Sequence, residues 1–190
     1  MDKTYVEEQD FLKIDFSRQA LTVGEYDHCT FVNCTFNNCD LSNIIFADCQ
    51  FEDCDLSLAK VSNTVFRDVK FKQCKLLGLH FENCNEFLFS VDFEGCQLNL
   101  SSFYKRALKK TNFKDCSLKE VDFAETNLIN STFDNCDLLG AIFDNTILLK
   151  CDFRTSFNFI IDPEKNQISK AKFSLQGIAG LLTKYNIIIE

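Results

Sequence analysis

Eleven cysteines, two histidines and 28 carboxylates are the groups able to do chemistry in this 190-residue chain. Cys-x4-Cys recurs at Cys29, Cys34 and Cys39, and again at Cys49 and Cys54. Such spacing invites a thiolate metal site or a disulfide framework. His28 and His80 stand apart, with no second histidine at ligand spacing. The six glycines form neither a G-x-x-x-x-G-K-[ST] loop nor a G-x-G-x-x-G loop for phosphate, and no G-x-S-x-G nucleophile turn occurs.

The cysteines share a second property. All eleven fall on one step of a five-residue period, three residues after one centre position and, except for Cys84 at the slip, two before the next. Every fifth residue from Phe11 to Phe81 is apolar. The register slips by two within Glu82–Phe87, resumes at Leu88 and runs through Phe93, Leu98 and Phe103 to Phe153, so that all 29 centres are apolar. From Phe93 to Phe153 the centres alternate Phe and Leu without exception. Self-similarity at a fixed period is the mark of a repeat architecture.

A period of five fits no ordinary element. On an α-helix five residues advance 500°, which scatters the centres around the axis. On a flat strand an odd period alternates faces. The chain must therefore turn about once per repeat. With the centre called i, residues i−2 and i point inward, i−1 points outward, and i+1 and i+2 make a corner. Four such sides close a square coil of about twenty residues, and coils stack at ~4.8 Å. A narrow tube needs a small inward residue wherever the other is Phe or Leu, and Cys, Ala59, Ser131 and Ala141 supply it. This accounts for the Cys-x4-Cys spacing without metal or disulfide, since a buried free Cys packs as a small hydrophobe. His28 (i+2) and His80 (i−1) point outward. The carboxylates lie on a convex rod with no cleft to shift their pKa, so no catalytic, cofactor or metal site is expected, and the chain reads as a binding protein rather than an enzyme.

The pattern resembles that of the pentapeptide-repeat proteins, with Leu or Phe at the centre and Ala or Cys at i−2, over Asp10 to about Phe157. The ending IIDPEKNQISKAKFSLQGIAGLLTKYNIIIE and the opening DFSRQAL at Asp15–Leu21 are similar to those of a subgroup that includes the Qnr and McbG-like proteins. The resemblance implies an all-β fold, a right-handed quadrilateral β-helix with a short C-terminal α-helical cap. It also implies a rod-like homodimer joined at its C-terminal modules, and DNA gyrase or topoisomerase IV as partner. Strict register at Phe103, Leu108 and Phe113 leaves no inserted loop there, which places the chain nearer the loop-poor McbG form. A generic interaction scaffold with an unrelated partner is the alternative.

Charge bears on that partner. The net charge is −8, and residues 1–100 hold 17 acidic and 8 basic groups. Between Arg18 and Lys60 no Lys or Arg occurs. Glu25, Asp27, Asp48, Glu52, Asp53 and Asp55 in this gap are the expected partner-binding residues, imitating DNA in one stretch of a ~35 Å rod. Direct nucleic-acid binding is not expected from this balance. Lys105, Arg106, Lys109, Lys110 and Lys114 form a basic patch. Arg106 falls at a small inward position, so either the coil is distorted there or the side chain snorkels out.

Beyond Ile160 the period ends and Asp162-Pro163 signals a turn. Ser174 can cap a helix carrying Leu175, Ile178, Ala179, Leu182 and Tyr185, which Asn186 can stop. The expected organisation is a cap over 1–10, the coil over 11–157 and a cap and dimerisation module over 158–190. Leu175, Ile178, Leu182, Ile187, Ile188 and Ile189 are the expected dimer contacts, more apolar than a cap alone needs. The polar, acidic N-terminus lacks the pattern of a secretory signal, and no apolar run approaches the ~18 residues of a membrane span, so a cytoplasmic location is expected.

Overall fold

A computed structural model, which describes residues 4–188, shows a four-sided parallel β-solenoid. One side is a seven-stranded parallel sheet: β2 (Asp10–Leu12), β4 (Thr30–Val32), β6 (Gln50–Glu52), β8 (Val69–Lys72), β9 (Val91–Glu94), β10 (Asn112–Lys114) and β11 (Thr132–Asp134). The side preceding it is a sheet of β1 (Thr4–Glu7), β3 (Gly24–Asp27), β5 (Ile45–Ala47) and β7 (Val65–Arg67). Single parallel bridges build the other two sides, as in Thr35 to Asp55 and Asp40 to Lys60. Partners lie twenty residues apart, Phe31 over Phe11 and Phe51 over Phe31.

The inward centres form continuous ladders. On the seven-stranded side, Phe11, Phe31, Phe51, Phe71, Phe93, Phe113, Phe133, Phe153 and Phe173 stack with centroids 4.7 to 5.4 Å apart. Rings on adjacent sides meet edge to face, as Phe113 and Phe123 do at 5.9 Å. Offset stacking and edge contacts are the favoured aromatic geometries.

The i−2 residues do more than stay small. Their hydroxyl or thiol donates to the carbonyl of a centre one turn back: Thr126 to Phe103, Ser131 to Leu108, Cys136 to Phe113, Ser156 to Phe133. For Phe103 and Leu108 this is a second donor, since the N–H groups of Arg106 and Thr111 already reach those carbonyls. Ala would fill the space but leave that bond unmade. At i+2 the backbone is left-handed in almost every repeat, from Glu8 (φ 52°) to Lys170 (φ 59°). Asn, Asp and Gly tolerate this conformation best, and they recur there.

The structure moves three expected boundaries. Residues 4–10, expected as a cap, belong to the coil, because β1 pairs with β3 and β2 with β4. The coil also passes 157: Gln167 pairs with Ile147, Lys172 with Asp152, and Phe173 stacks on Phe153. The turn at Asp162-Pro163 hides this in the sequence, although Ile168 and Phe173 keep the twenty-residue spacing from Leu148 and Phe153. At the slip, Leu88 is not a centre. It is 54% exposed with φ 55°, and Phe89 packs against the core instead, 6.4 Å from Phe66 and 6.2 Å from Phe81. A 3₁₀ turn over Phe81–Asn83 and the two extra residues push Phe87 and Leu88 outward.

The C-terminal segment is helical but short: a 3₁₀ turn at Gln176–Ile178, α1 at Ala179–Leu182 and a second 3₁₀ turn at Thr183–Tyr185, stopped by left-handed Asn186. Ser174 Oγ accepts from the Gly177 N–H. The segment seats on the coil through Gly177 and Gly180, where a Cβ would collide with the ring and the carbonyl of Phe159 respectively, and through Leu181. No described helix is long and apolar enough to cross a membrane.

Candidate interaction surface

The six expected acidic residues do not share one face. Glu25 and Asp27 lie on β3, Glu52 on β6, and Asp55 on a third side between Thr35 and Lys75, with Asp48 and Asp53 at corners. Nor are they all unopposed. Stacking brings cations from later turns against two of them, Arg67 3.6 Å from Glu25 and Lys72 2.9 Å from Glu52, and sets Lys60 3.2 Å from Asp40 in the same gap. Lys72 holds the Glu52 carboxyl below its usual range. Among the described residues Asp48, Asp53 and Asp55 have no cation within 4 Å. A gap in basic residues along the chain is therefore not a gap in space.

The structure instead assembles an acidic edge. Glu8, His28, Asp48 and Asp68 stack along one corner, all left-handed at φ 50–52°, linked by backbone bonds from His28 to Ala47 and from Asp48 to Arg67. Asp27 lies beside this edge, its Oδ2 accepting from Tyr5 Oη at 3.1 Å and its Oδ1 3.0 Å from His28 Nδ1. Asp27, His28 and Asp48 bring one ligand atom each within 4.8 Å of one another, the grouping among the described residues that could hold a metal ion. Asp68 and Glu8 were missed in sequence because their membership depends on the twenty-residue stack.

The basic patch is divided in the same way. Lys114 is tied to Glu94 at 2.7 Å on β10, and Lys105 to Glu125 at 3.5 Å. Arg106 does not snorkel. It is 5% exposed and donates through Nη2 to the carbonyls of Glu82 and Cys84. The distortion at the slip explains it, because those carbonyls have lost their regular partners and the extra residues leave room for a long side chain.

The thiols are buried and unpaired in disulfides, with only Cys39 partly exposed. Burial pushes the Cys49, Cys84 and Cys151 thiols up to about 12. An open groove of about 420 Å³ lies on the outside of β6–β10, and its Lys72 and Lys114 are engaged by Glu52 and Glu94.

Apolar side chains are exposed at several places, two of which bear on partner binding. Leu58 and Leu100, 60% and 61% exposed, flank Gly78 on one corner in left-handed backbone. At the C-terminal end Leu175, Ile178, Ile187 and Ile188 are exposed and Leu182 is half-buried. Ile189, expected among the dimer contacts, lies outside the described residues.

These features define a β-solenoid of five-residue repeats. The family described as pentapeptide repeat region matches residues 25–86 and 87–157, and the chain belongs to that family. Among solved structures it is similar to a trypsin-treated variant of QnrB1, described as a plasmid-mediated fluoroquinolone resistance protein, with a TM-score of 0.63, 20% identity and coverage of 100% of this chain and 95% of that one. HetL, a pentapeptide-repeat protein of heterocyst differentiation from the cyanobacterium Nostoc, matches with a TM-score of 0.45, 14% identity and coverage of 90% and 88%. No curated protein matches the sequence.

Proposed function

We propose that the chain is a non-enzymatic, cytoplasmic binding protein whose acidic edge docks on the basic DNA-binding surface of a bacterial type II topoisomerase, DNA gyrase or topoisomerase IV, protecting it from a quinolone or a peptide toxin. The observation that carries this reading is the column of Glu8, Asp48 and Asp68 with Asp27 beside it on a rigid rod. Duplex DNA presents one negative charge per ~1.7 Å of axis, whereas this edge offers roughly one per ~4.8 Å turn, so the imitation is confined to the N-terminal part. A rigid rod loses little conformational entropy on docking. The description of QnrB1 as a fluoroquinolone resistance protein supports the reading.

The exposed Leu175, Ile178, Ile187 and Ile188 fit a two-fold, self-complementary patch, so the protein acts as a homodimer joined at its C-terminal ends. A supercoiling assay with purified gyrase, with and without a quinolone, tests the function. Neutralising Glu8, Asp27, Asp48 and Asp68 together should abolish the effect and its salt dependence while leaving the melting curve in place. An unchanged effect in that variant, or none from the parent at any salt, removes the topoisomerase reading. A scaffold for an unrelated partner then takes its place, favoured by Leu58 and Leu100, which are both exposed and held in a costly backbone conformation.

A further inference from the structure

The side of the coil built by β3, β5 and β7 turns an apolar face outward. Ile45 stacks on Val65, and Ala107, Asn127 and Ile147 continue the column beyond the slip. Ile45, Val65, Ile129, Ile147 and Leu149 are half-buried and Leu88 is exposed. The two corners of this side differ. One is neutral: Asn63 donates to Asn43 at 2.9 Å, Asn85 donates to Asn63 at 2.7 Å, and Lys105 pairs with Glu125. The other changes sign along the rod. Glu8, His28, Asp48 and Asp68 hold its N-terminal half, and Lys110, Asn130, Lys150 and Lys170 its C-terminal half, all left-handed at φ 50–64°. Pairing of Lys70 with Asp92 and of Phe93 with Phe113 carries the register across, so Ser90 lies between the halves. Among the described residues Glu8, Asp48 and Asp68 have no cation within 4 Å, and Lys110, Lys150 and Lys170 have no acid.

We propose that this side binds a second copy of the chain, antiparallel and side by side. A two-fold axis across the face near Leu88 and Ser90 lays the charged corner of one copy along the same corner of the other, reversed. Each acidic half then lies against the lysine half of the other copy, and the apolar strips meet between the corners. Arg67, which faces Lys109 across the axis, is already held by Glu25 at 3.6 Å. Eight steps of ~4.8 Å and a five-residue side give roughly 600 Å² per copy, at the low end of specific interfaces, so the pair forms weakly and weakens further with salt. The contact is separate from the C-terminal patch. It covers the acidic edge, so a paired copy cannot dock that edge elsewhere.

Ser90→Cys, at an exposed position, treated with a short bismaleimide tests the pairing, with the parent and its buried thiols as control. Cross-linked dimer should rise with protein concentration and fall severalfold at high salt. In the Ser90→Cys background, Lys110→Glu, Lys150→Glu and Lys170→Glu together make the corner wholly acidic, and Glu8→Lys, Asp48→Lys and Asp68→Lys make it wholly basic. Each set alone should cross-link about tenfold less or worse, and an equal mixture of the two should recover the yield. Recovery in the mixture excludes misfolding as the cause of the loss. No cross-link at any concentration, equal cross-linking in the reversed sets, or no recovery in the mixture overturns the proposal. Absence of cross-link together with binding to anionic lipid vesicles assigns the face to a membrane surface instead. Copies joined end to end keep their Ser90 positions far apart, so these outcomes depend neither on the C-terminal contact nor on a topoisomerase.

Discussion

From Val91 to Phe157 the coil keeps a pitch of twenty residues, and its interior carbonyls receive bonds from Ser, Thr and Cys one turn on. From Phe81 to Ser90 the pitch fails, no such side chain is in reach, and Arg106 supplies the donors from the turn above. The two regions obey one requirement, that buried carbonyls be satisfied, with different chemistry. In the regular coil the answer is local and repeats. At the slip it is a single long cation, which brings a cavity and an unpaired nitrogen with it.

The largest effect expected from this contrast is on thiol chemistry. With Cys49, Cys84 and Cys151 pushed up to about 12, the thiolate fraction near pH 8 falls about a thousandfold from that of an ordinary thiol. Titration with a thiol reagent should be slow until denaturant is added. If Cys84 reacts well before Cys49 and Cys151, the slip opens locally while the coil stays closed. The same shifts set a pH dependence. Below pH ~9 both states keep their thiol protons, and as pH rises towards 12 the unfolded chain loses protons that the native chain retains, so stability should fall over that window.

Next in size is the ladder itself. Phe113→Ala, at a fully buried ring stacked between Phe93 and Phe133, should cost about 3–5 kcal/mol in a denaturant melt. Arg106→Met should cost less, about 2 kcal/mol, because two carbonyls lose their donor while a buried charge is also removed. If Arg106→Met proves as damaging as Phe113→Ala, the slip is a keystone rather than a tolerated irregularity. Ser131→Ala should cost about 1 kcal/mol, the net worth of one hydrogen bond in the regular coil. Smallest, and of opposite sign, Leu100→Asn should stabilise by about 0.5–1 kcal/mol, since Asn adopts left-handed backbone more readily than Leu. A loss instead would show that Leu100 packs against the corner rather than waiting for a partner.

The five-residue period determined the square coil, the inward Phe and Leu centres and the buried, unpaired thiols. These follow from the chain because each repeat makes its own turn and each inward residue meets copies of itself. Which charges are neutralised was decided only in three dimensions. Arg67 reaches Glu25 across two turns, and Lys72 reaches Glu52 across one, so a run of acids read along the chain is not the acidic edge in space. The exchange of Leu88 for Phe89 at the core was likewise invisible, because a two-residue insertion has no period of its own and settles wherever the neighbouring rings leave room. The same holds for the C-terminal segment. Its heptad-like leucines pointed to an apolar stripe, but contact with Phe159 selected Gly177 and Gly180 for the close approach and left Leu175 and Ile178 exposed.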